Sequence, residues 1–294
     1  MVYIHFIINP ISGNGKHNLT ASLLRNFFPR SEFTIEVDYT KYKQHAIALT
    51  KYAAIKNPDI IVACGGDGTI NEVASCLVGT SIKLGILPVG SGNGLASNLN
   101  IPKNIDKALK IIRKGHSNPI DVGQINDKYF FSNMGIGVDA MIIKKYDQSG
   151  KRTLSAYVKA ALSSSFNFKT TKTTLVFNNK VLNVNPFMLF VSNSNEMGYN
   201  MTLTPKASLS DGWLDLVVVP EIATIDKLKL GYAVLRNKIE YFKKAQHNLI
   251  QNLKIEMPDK IFTDAQIDGE HYNLKTNMIE VSIIQKGLNV LVSH

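Results

Sequence analysis

Three short segments of this 294-residue chain combine glycines with groups able to hold a phosphate. Cys64-Gly65-Gly66-Asp67-Gly68-Thr69 follows a strand-like apolar run, Asp59–Cys64, and precedes helical spacing over Thr69–Val78. Three glycines within four residues let the backbone turn sharply and bring its N–H groups close to a phosphate. A helix beginning near Thr69 adds the positive end of its dipole. Asp67 by itself would repel such a ligand. It fits if it faces Mg2+, directly or through water, or accepts a proton from an attacking hydroxyl. The plainer alternative is a tight turn with Asp67 as the helix N-cap.

Asn9-Pro10-Ile11-Ser12-Gly13-Asn14-Gly15-Lys16 closes the apolar run Tyr3–Asn9. It is not a P-loop, since His17 replaces the Ser/Thr of that motif, but it offers Ser12, backbone amides and Lys16. The alternative is an ordinary glycine turn with a solvated lysine. The third segment, Pro88-Val89-Gly90-Ser91-Gly92-Asn93-Gly94-Leu95-Ala96, follows the strand-like run Lys83–Val89. One such loop is a weak signal. Three, each after a strand, are much stronger.

The elements that must position these loops alternate along the first 120 residues. Helical spacing is expected over His17–Phe28, Gln44–Ile55, Thr69–Val78 and Ile105–Arg113, with a further alternating run at Phe33–Tyr39. Strands spaced by helices of this length make βαβ units on a parallel sheet. Ligands bind at the carboxyl ends of such strands, so loops 9–16, 64–69 and 89–95 should share one edge. After Asp121 the pattern changes to strand-like runs without intervening helices, at 129–138, 172–178, 186–192, 213–219, 252–257 and 278–284. Two helical segments, 139–166 and 224–246, interrupt them. The expected fold class is α/β plus β: an N-terminal α/β nucleotide-binding domain over 1–121, and a β-sandwich-like domain over 122–286.

Composition narrows the class. With 45% hydrophobic and 19% charged residues the chain is not disordered, and no run of 18 apolar residues suggests a membrane span. The N-terminal MVYIHFIINP reads as a strand, not a signal peptide. Two cysteines without metal-like spacing suit a reducing, cytoplasmic setting, and the seven histidines show no ligand spacing. The formal charge of +10 is focal: residues 143–180 hold eight Lys/Arg against Asp147, and 227–244 hold six against Glu240. Neither stretch carries a nucleic-acid-binding motif. Leu228, Tyr232, Leu235, Ile239 and Phe242 form a helical apolar stripe among Lys227, Lys229, Arg236, Lys238, Lys243 and Lys244. A stripe of this kind usually faces a core. Its cationic surround also fits a helix lying on anionic headgroups.

Together these motifs resemble the diacylglycerol-kinase catalytic-domain family, which includes bacterial lipid kinases and the sphingosine kinases. The resemblance rests on Asn9-Pro10-x-Ser12-Gly13, Gly65-Gly66-Asp67-Gly68-Thr69 with Asn71-Glu72, and Gly90-Ser91-Gly92-Asn93. It continues through Gly135-x-Gly137-x-Asp139, Asp211-Gly212-x-Leu214-Asp215 and Asp268-Gly269-Glu270. It implies MgATP-dependent phosphorylation of a lipid hydroxyl, a β-rich domain that receives the lipid, and a return of 287–294 to the first domain. Many family members read Asn-Asp-Phe-Ala-Arg where this chain has Asn93-Gly94-Leu95-Ala96-Ser97, so the third loop looks more like that of sphingosine kinases. Diacylglycerol itself is therefore less strongly indicated than phosphoryl transfer.

Roles follow for individual residues. Asn9, Ser12, Lys16, Gly65, Gly66, Gly68, Thr69, Gly90, Ser91, Gly92, Asn93 and Glu270 are the expected nucleotide contacts. Asp268 matches the family's late acidic motif and is the first candidate for the base; Asp67 is the second, and an Asp-Gly turn is the alternative for Asp268. Resemblance adds Asp121 to the metal network of Asp67, and Asp211 with Asp215 as a structural metal site. A strand-end carboxylate and a plain turn are the respective alternatives. Asp139 is a candidate for the lipid head group, or a helix N-terminal carboxylate; Arg152 could reach the γ-phosphate. Glu72 should support the 65–69 loop. The expected partners are ATP, Mg2+, a lipid and transiently an anionic membrane surface, with homodimerisation open. The competing readings are an NAD kinase, which shares the Gly-Gly-Asp-Gly-Thr loop, and a catalytically silent lipid- or nucleotide-binding regulator.

Overall fold

The apolar runs at residues 2–8, 60–65 and 83–88 become buried parallel strands. The computed structural model describes every residue except Ser91, Arg152, 198–200 and His294, and the side chain of Asn14. The expected roles of Ser91 and Arg152 lie outside the described residues. Two compact units are present: residues 1–120 with 286–294, and residues 121–285.

The first unit is built from β1 (Val2–Ile8), α1 (Ala21–Phe27), β2 (Phe33–Tyr39), α2 (His45–Ile55), β3 (Ile60–Gly65), α3 (Asp67–Leu77), β4 (Lys83–Pro88), α4 (Gly94–Asn98) and α5 (Ile105–Lys114). Its strands run parallel in the order β2-β1-β3-β4, with Val290 of the chain's last strand beside Leu84 of β4. β1, β3 and β4 are almost wholly buried and mainly apolar, broken by His5 in β1 and Lys83 at the start of β4, whereas the edge strand β2 is half-exposed. The chain steps outward from β1 to β2 and then back past β1 to β3. The switch point therefore lies between the carboxyl ends of β1 and β3, where Asn9 N–H donates to Cys64 O at 2.9 Å.

Helix limits follow local chemistry. The expected helix over 17–28 starts only at Ala21, where Thr20 caps the amide of Leu23. Ser12–Gly15 instead forms one 3-10 turn, and the positive φ of Gly13 and Gly15 keeps the segment from continuing as an α-helix. α5 has Asn104 capping Lys107 N–H, Arg113 and Lys114 in its last turn, and Gly115 at φ +69 as its stop.

β5 (Ser117–Ile125) leads into the second unit, which holds β6 (Lys128–Phe130), β7 (Asn133–Gly137), α6 (Val138–Gln148), α7 (Leu154–Asn167), β8 (Thr173–Phe177), β9 (Lys180–Val184), β10 (Pro186–Ser192), β11 (Leu214–Pro220), α8 (Thr224–Leu235), β12 (Gln246–Ile250), β13 (Asn252–Glu256), β14 (Asp264–Ile267), β15 (Glu270–Asn273) and most of β16 (Met278–Leu291). One antiparallel sheet runs β12-β11-β10-β7-β14-β15, and a second row runs β16-β13-β8-β9. Leu189, Val191, Leu214 and Leu216 of the first sheet pack with Leu175, Leu253, Ile255 and Ile279 of the second. This is the expected sandwich. The alternate residues Met188, Phe190, Val217 and Val219 face α6, α7 and α8. β10 and β11 are thus covered on both faces and lack polar alternation.

The helical stretch expected over 139–166 is two helices, interrupted at Gly150 with φ +64, and that over 224–246 ends at Leu235, shortly before Asn237 with φ +52. In the β5–β6 hairpin, Phe130 is fully buried opposite Gly123, and a Cβ built on Gly123 would lie 2.1 Å from its ring. Gly123→Ala should therefore destabilise the second unit by about 1–3 kcal/mol, measured by urea unfolding. Adding Phe130→Leu should recover part of that loss.

Candidate active site

The three glycine loops follow the neighbouring strands β1, β3 and β4 and interlock. Asp67 is the first residue of α3, with Gly66 as the N-cap, so Asp67 is not itself the cap. Its carboxylate reaches the third loop instead: Oδ2 accepts Asn93 N–H at 2.8 Å and Oδ1 accepts Gly94 N–H at 2.6 Å. Asn9 Nδ2 donates to Thr69 Oγ1 at 3.1 Å, tying the first loop to the second. His17 Nε2 donates to Asn9 O at 2.9 Å and closes the first loop on itself.

Backbone proximity explains the glycines. A Cβ on Gly90 would sit 2.3 Å from Gly66 Cα, one on Gly92 2.5 Å from Asp67 Oδ2, and one on Gly13 2.3 Å from Val89 O. Gly65 is crowded by the Thr69 side chain at 2.4 Å. These contacts are impossible for any other residue without moving a loop. The first-turn amides of α3, from Asp67, Gly68 and Thr69, belong to the helix end that lacks internal acceptors.

The expected nucleotide contacts divide into two groups. Ser12 is half-buried at the first loop and Lys16 is exposed beyond it; Thr69 is buried, and its hydroxyl, which accepts from Asn9, is also able to donate. Asn93 is different. It is buried at φ +67, and its side chain is closed on Gly90, accepting from N–H at 3.1 Å and donating to O at 2.7 Å. It clamps the loop from inside. Glu72 caps α2, accepting Gln44 N–H and Ala46 N–H at 3.0 and 3.2 Å.

The second unit gathers its own polar centre. Asp268 and Gly269 both take positive φ in a two-residue hairpin joining β14 to β15, the geometry of a type I′ turn. The Asp268 carboxylate accepts from three amides, Phe131 at 2.9 Å, Ser132 at 2.8 Å and Asn133 at 3.0 Å. Gln266, buried beside it, donates to Asn133 Oδ1 and accepts Gly269 N–H. Glu270 begins β15 and is half-buried. Asn193, fully buried, donates to Asp121 O at 2.8 Å and Phe131 O at 3.2 Å. Asn133, Asn193 and Gln266 were not singled out from the sequence. The signal was present in Ser192-Asn193-Ser194-Asn195, an abrupt polar run ending the apolar β10.

Asp121 Oδ2 accepts Gly212 N–H at 2.7 Å and so fixes the Asp211-Gly212 turn. Asp211 accepts Trp213 N–H at 3.0 Å. Burial, and secondarily the charge of Asp211, push the Asp215 carboxyl up to about 6. No group of three or more His, Cys, Asp or Glu side chains suited to a metal occurs among the described residues. Asp67 suits an ion held through water: each oxygen already serves one amide, and a carboxylate offers about four lone-pair sites.

Asp139 lies in the first turn of α6 and is 3% exposed. Its Oδ2 has no hydrogen-bond partner among the described residues. A Cβ on Gly135 would fall within 1.9 Å of that oxygen, which accounts for Gly135 in the Gly-x-Gly-x-Asp motif. Burial pushes the Asp139 carboxyl up to about 7, opposed by the Gln266 amide.

The chain thus combines a parallel α/β unit carrying three interlocked glycine loops with an antiparallel β-sandwich unit. The profile of the diacylglycerol kinase catalytic domain matches residues 3–125, and that of the YegS C-terminal NAD kinase beta sandwich-like domain matches residues 132–291. The chain belongs to this diacylglycerol kinase and YegS-like lipid kinase family. It is 27% identical to the diacylglycerol kinase of Bacillus subtilis (strain 168) over 270 residues, covering 90% of this chain and 88% of the relative. Over 211 residues it is 30% identical to the "Probable lipid kinase YegS-like" of Klebsiella pneumoniae (strain 342), covering 70% and 71%. A diacylglycerol kinase crystal structure from Bacillus anthracis (strain Sterne) shares the fold with a TM-score of 0.78 at 21% identity, over 99% of this chain and 97% of that one.

Two outcomes follow from the carboxylates. Asp67→Asn leaves one third-loop amide facing an NH2 group, and should lower kcat by about 100-fold with the KM for ATP raised, measured by coupled ADP release. For Asp139, the folded carboxyl titrates near 7 and the unfolded one near 4. The native state therefore holds more protons between those values, and stability should fall as pH rises through that window and then level off. Asp139→Asn should remove this slope and exceed the wild type at pH ~8 by about 1–3 kcal/mol, measured by urea unfolding at several pH values.

Proposed function

We propose that this protein transfers the γ-phosphoryl group of ATP to the hydroxyl of a diacylglycerol-like or sphingoid-like lipid. The observation that carries the reading is the interlocking of three glycine loops around Asp67 at the carboxyl edge of the parallel sheet. Loops of this form hold phosphates through backbone amides and a helix N-terminus. In this reading Ser12, Lys16, Thr69 and the first-turn amides of α3 bind the nucleotide phosphates. Asn9, Asn93 and His17 keep the loops in register.

The lipid oxygen forms the new bond to phosphorus as the bond to the β-phosphate oxygen breaks, and ADP leaves. The hydroxyl proton goes to a carboxylate. Asp268 is the preferred acceptor, fixed in place by three amides and matching the family's acidic motif; Asp67 is the other candidate. When bound, Mg2+ would neutralise phosphate charge, and Asp67 would hold it through water. Asp139, with its unpartnered oxygen, is the proposed contact for the lipid's polar head. Gly94 and Ser97 leave the choice between glycerol and sphingoid lipids to experiment. We place the enzyme in a reducing cytoplasm with reversible membrane contact; no helix among the described residues is long and apolar enough to cross a membrane.

The test is incubation with MgATP and a panel of diacylglycerol, monoacylglycerol, sphingosine, ceramide, phosphatidylglycerol and NAD, with products identified by mass spectrometry. A phosphorylated lipid is expected. Phosphorylated NAD alone would reassign the enzyme, and ATP binding without any product would make it a silent regulator.

A further inference from the structure

We propose that α8, together with the end of α7, is a membrane-insertion face that enters the headgroup–acyl boundary of an anionic leaflet. The sequence shows one apolar stripe on this segment; the structure shows two on α8. Leu230 and Ala233 are buried, and Leu230 packs with Phe187, Val217 and Val219. That stripe is what holds the helix to the sandwich. On the other side Ile225, Leu228, Tyr232 and Leu235 recur at spacings of three, four and three, and are 59%, 45%, 63% and 49% exposed. None of the four belongs to the buried core. Ile239, by contrast, is buried, so the stripe expected over 228–242 splits between core and surface.

The exposed set extends to α7, where Leu162 and Phe166 are also about half-exposed. Lys227 Nζ joins the two helices by donating to Ser165 O at 2.8 Å. A row of large apolar side chains at helical spacing differs from the scattered exposed residues of an ordinary surface.

Charge identifies the occupant. Residues 224–244 carry six Lys/Arg against Asp226 and Glu240. Asp226 is neutralised within the fold by Lys244 at 2.6 Å and Lys229 at 3.7 Å, while Arg236 lies 5.8 Å over the Tyr232 ring. Lys238 and Lys243 are exposed beyond the helix. A second copy docked on this face through a two-fold axis would bring the same cations against themselves. Anionic headgroups would neutralise them while the acyl boundary covers the ridge. This inference does not depend on the kinase reading, because binding is measured without ATP.

The experiment is co-sedimentation of the full chain with vesicles of equal parts phosphatidylglycerol and phosphatidylcholine, at low salt and at about 0.5 M NaCl, where charge is screened over a few ångströms. Wild-type binding should weaken with salt but persist. Leu228→Gln/Tyr232→Gln/Leu235→Gln should lower partitioning about tenfold or more at both salts, whereas Lys238→Glu/Lys243→Glu should act mainly at low salt. Folding of the apolar variant is controlled by its thermal midpoint. Independently, Leu228→Trp in a Trp213→Phe background should be quenched by vesicles of brominated acyl chains. Absence of wild-type binding, wild-type-like binding by the apolar variant, or an unquenched indole would each overturn the proposal. So would a vesicle-free dimer that the apolar variant converts to monomer, since that assigns the face to self-association.

Discussion

The first unit depends on one carboxylate. Asp67 stands where a phosphate-binding loop should avoid negative charge, and its two oxygens are committed to the amides of Asn93 and Gly94. Hydrogen bonds to an ionised acceptor are among the stronger ones in proteins, and these two join the loop after β3 to the loop after β4. Once that link is made, Gly92 must be glycine because Asp67 Oδ2 occupies its Cβ position, and Gly90 must be glycine because Gly66 does the same. The glycines therefore serve loop-to-loop contact as well as room for a ligand.

The second unit repeats the device with different parts. Asp268 sits in a turn and satisfies three amides at the start of β7, and Asp121 pins the turn at Gly212. In each case a short acidic side chain organises backbone that has no partner strand at that point. An Asp→Asn exchange at either place changes geometry and charge together, so loss of turnover alone cannot separate a base from a brace. Asp139 is the exception among the acidic residues. Its Oδ2 lacks a partner among the described residues, and burial holds its carboxyl near 7. A group poised in this way can donate as well as accept a hydrogen bond at physiological pH.

Much of this was legible in the sequence because strand-to-loop grammar is local. Apolar runs ending in glycine located β1, β3 and β4, and their parallel order put the three loops on one edge. The limits of legibility were also physical. Glu72 lies beside the second loop in sequence but caps α2, since a helix side chain reaches whichever amides its face meets. Asn93 has the composition of a ligand donor, and only its positive φ and inward side chain reveal a clamp. Asn193 and Gln266 act across 72 and 133 residues of chain, on Asp121 and Asn133 respectively, separations that no local pattern encodes. The Asp-Gly turn at Asp268 was an open alternative, but its flanking strands escaped because β14 and β15 are only four residues each, too short to carry a pattern.

The focal positive charge has to be discounted by what the fold already consumes. Lys244 and Lys229 serve Asp226, Lys144 serves Asp264 at 3.3 Å, and Lys145 and Lys227 donate to Ser163 and Ser165. Among the described residues three of the fourteen cations in the two basic segments are thus ion-paired, to the two carboxylates Asp226 and Asp264, while Lys145 and Lys227 keep their charge. Exposed lysines still project some field from such pairs, but a pair is nearly neutral beyond a Debye length of about 8 Å. At about 1 kcal/mol for each cation near an anionic surface, the remainder supports only reversible association. Burying even part of the Ile225, Leu228, Tyr232 and Leu235 side chains would add a term of similar size. Neither contribution is sufficient for a lasting anchor, so the proposed contact is a reversible one.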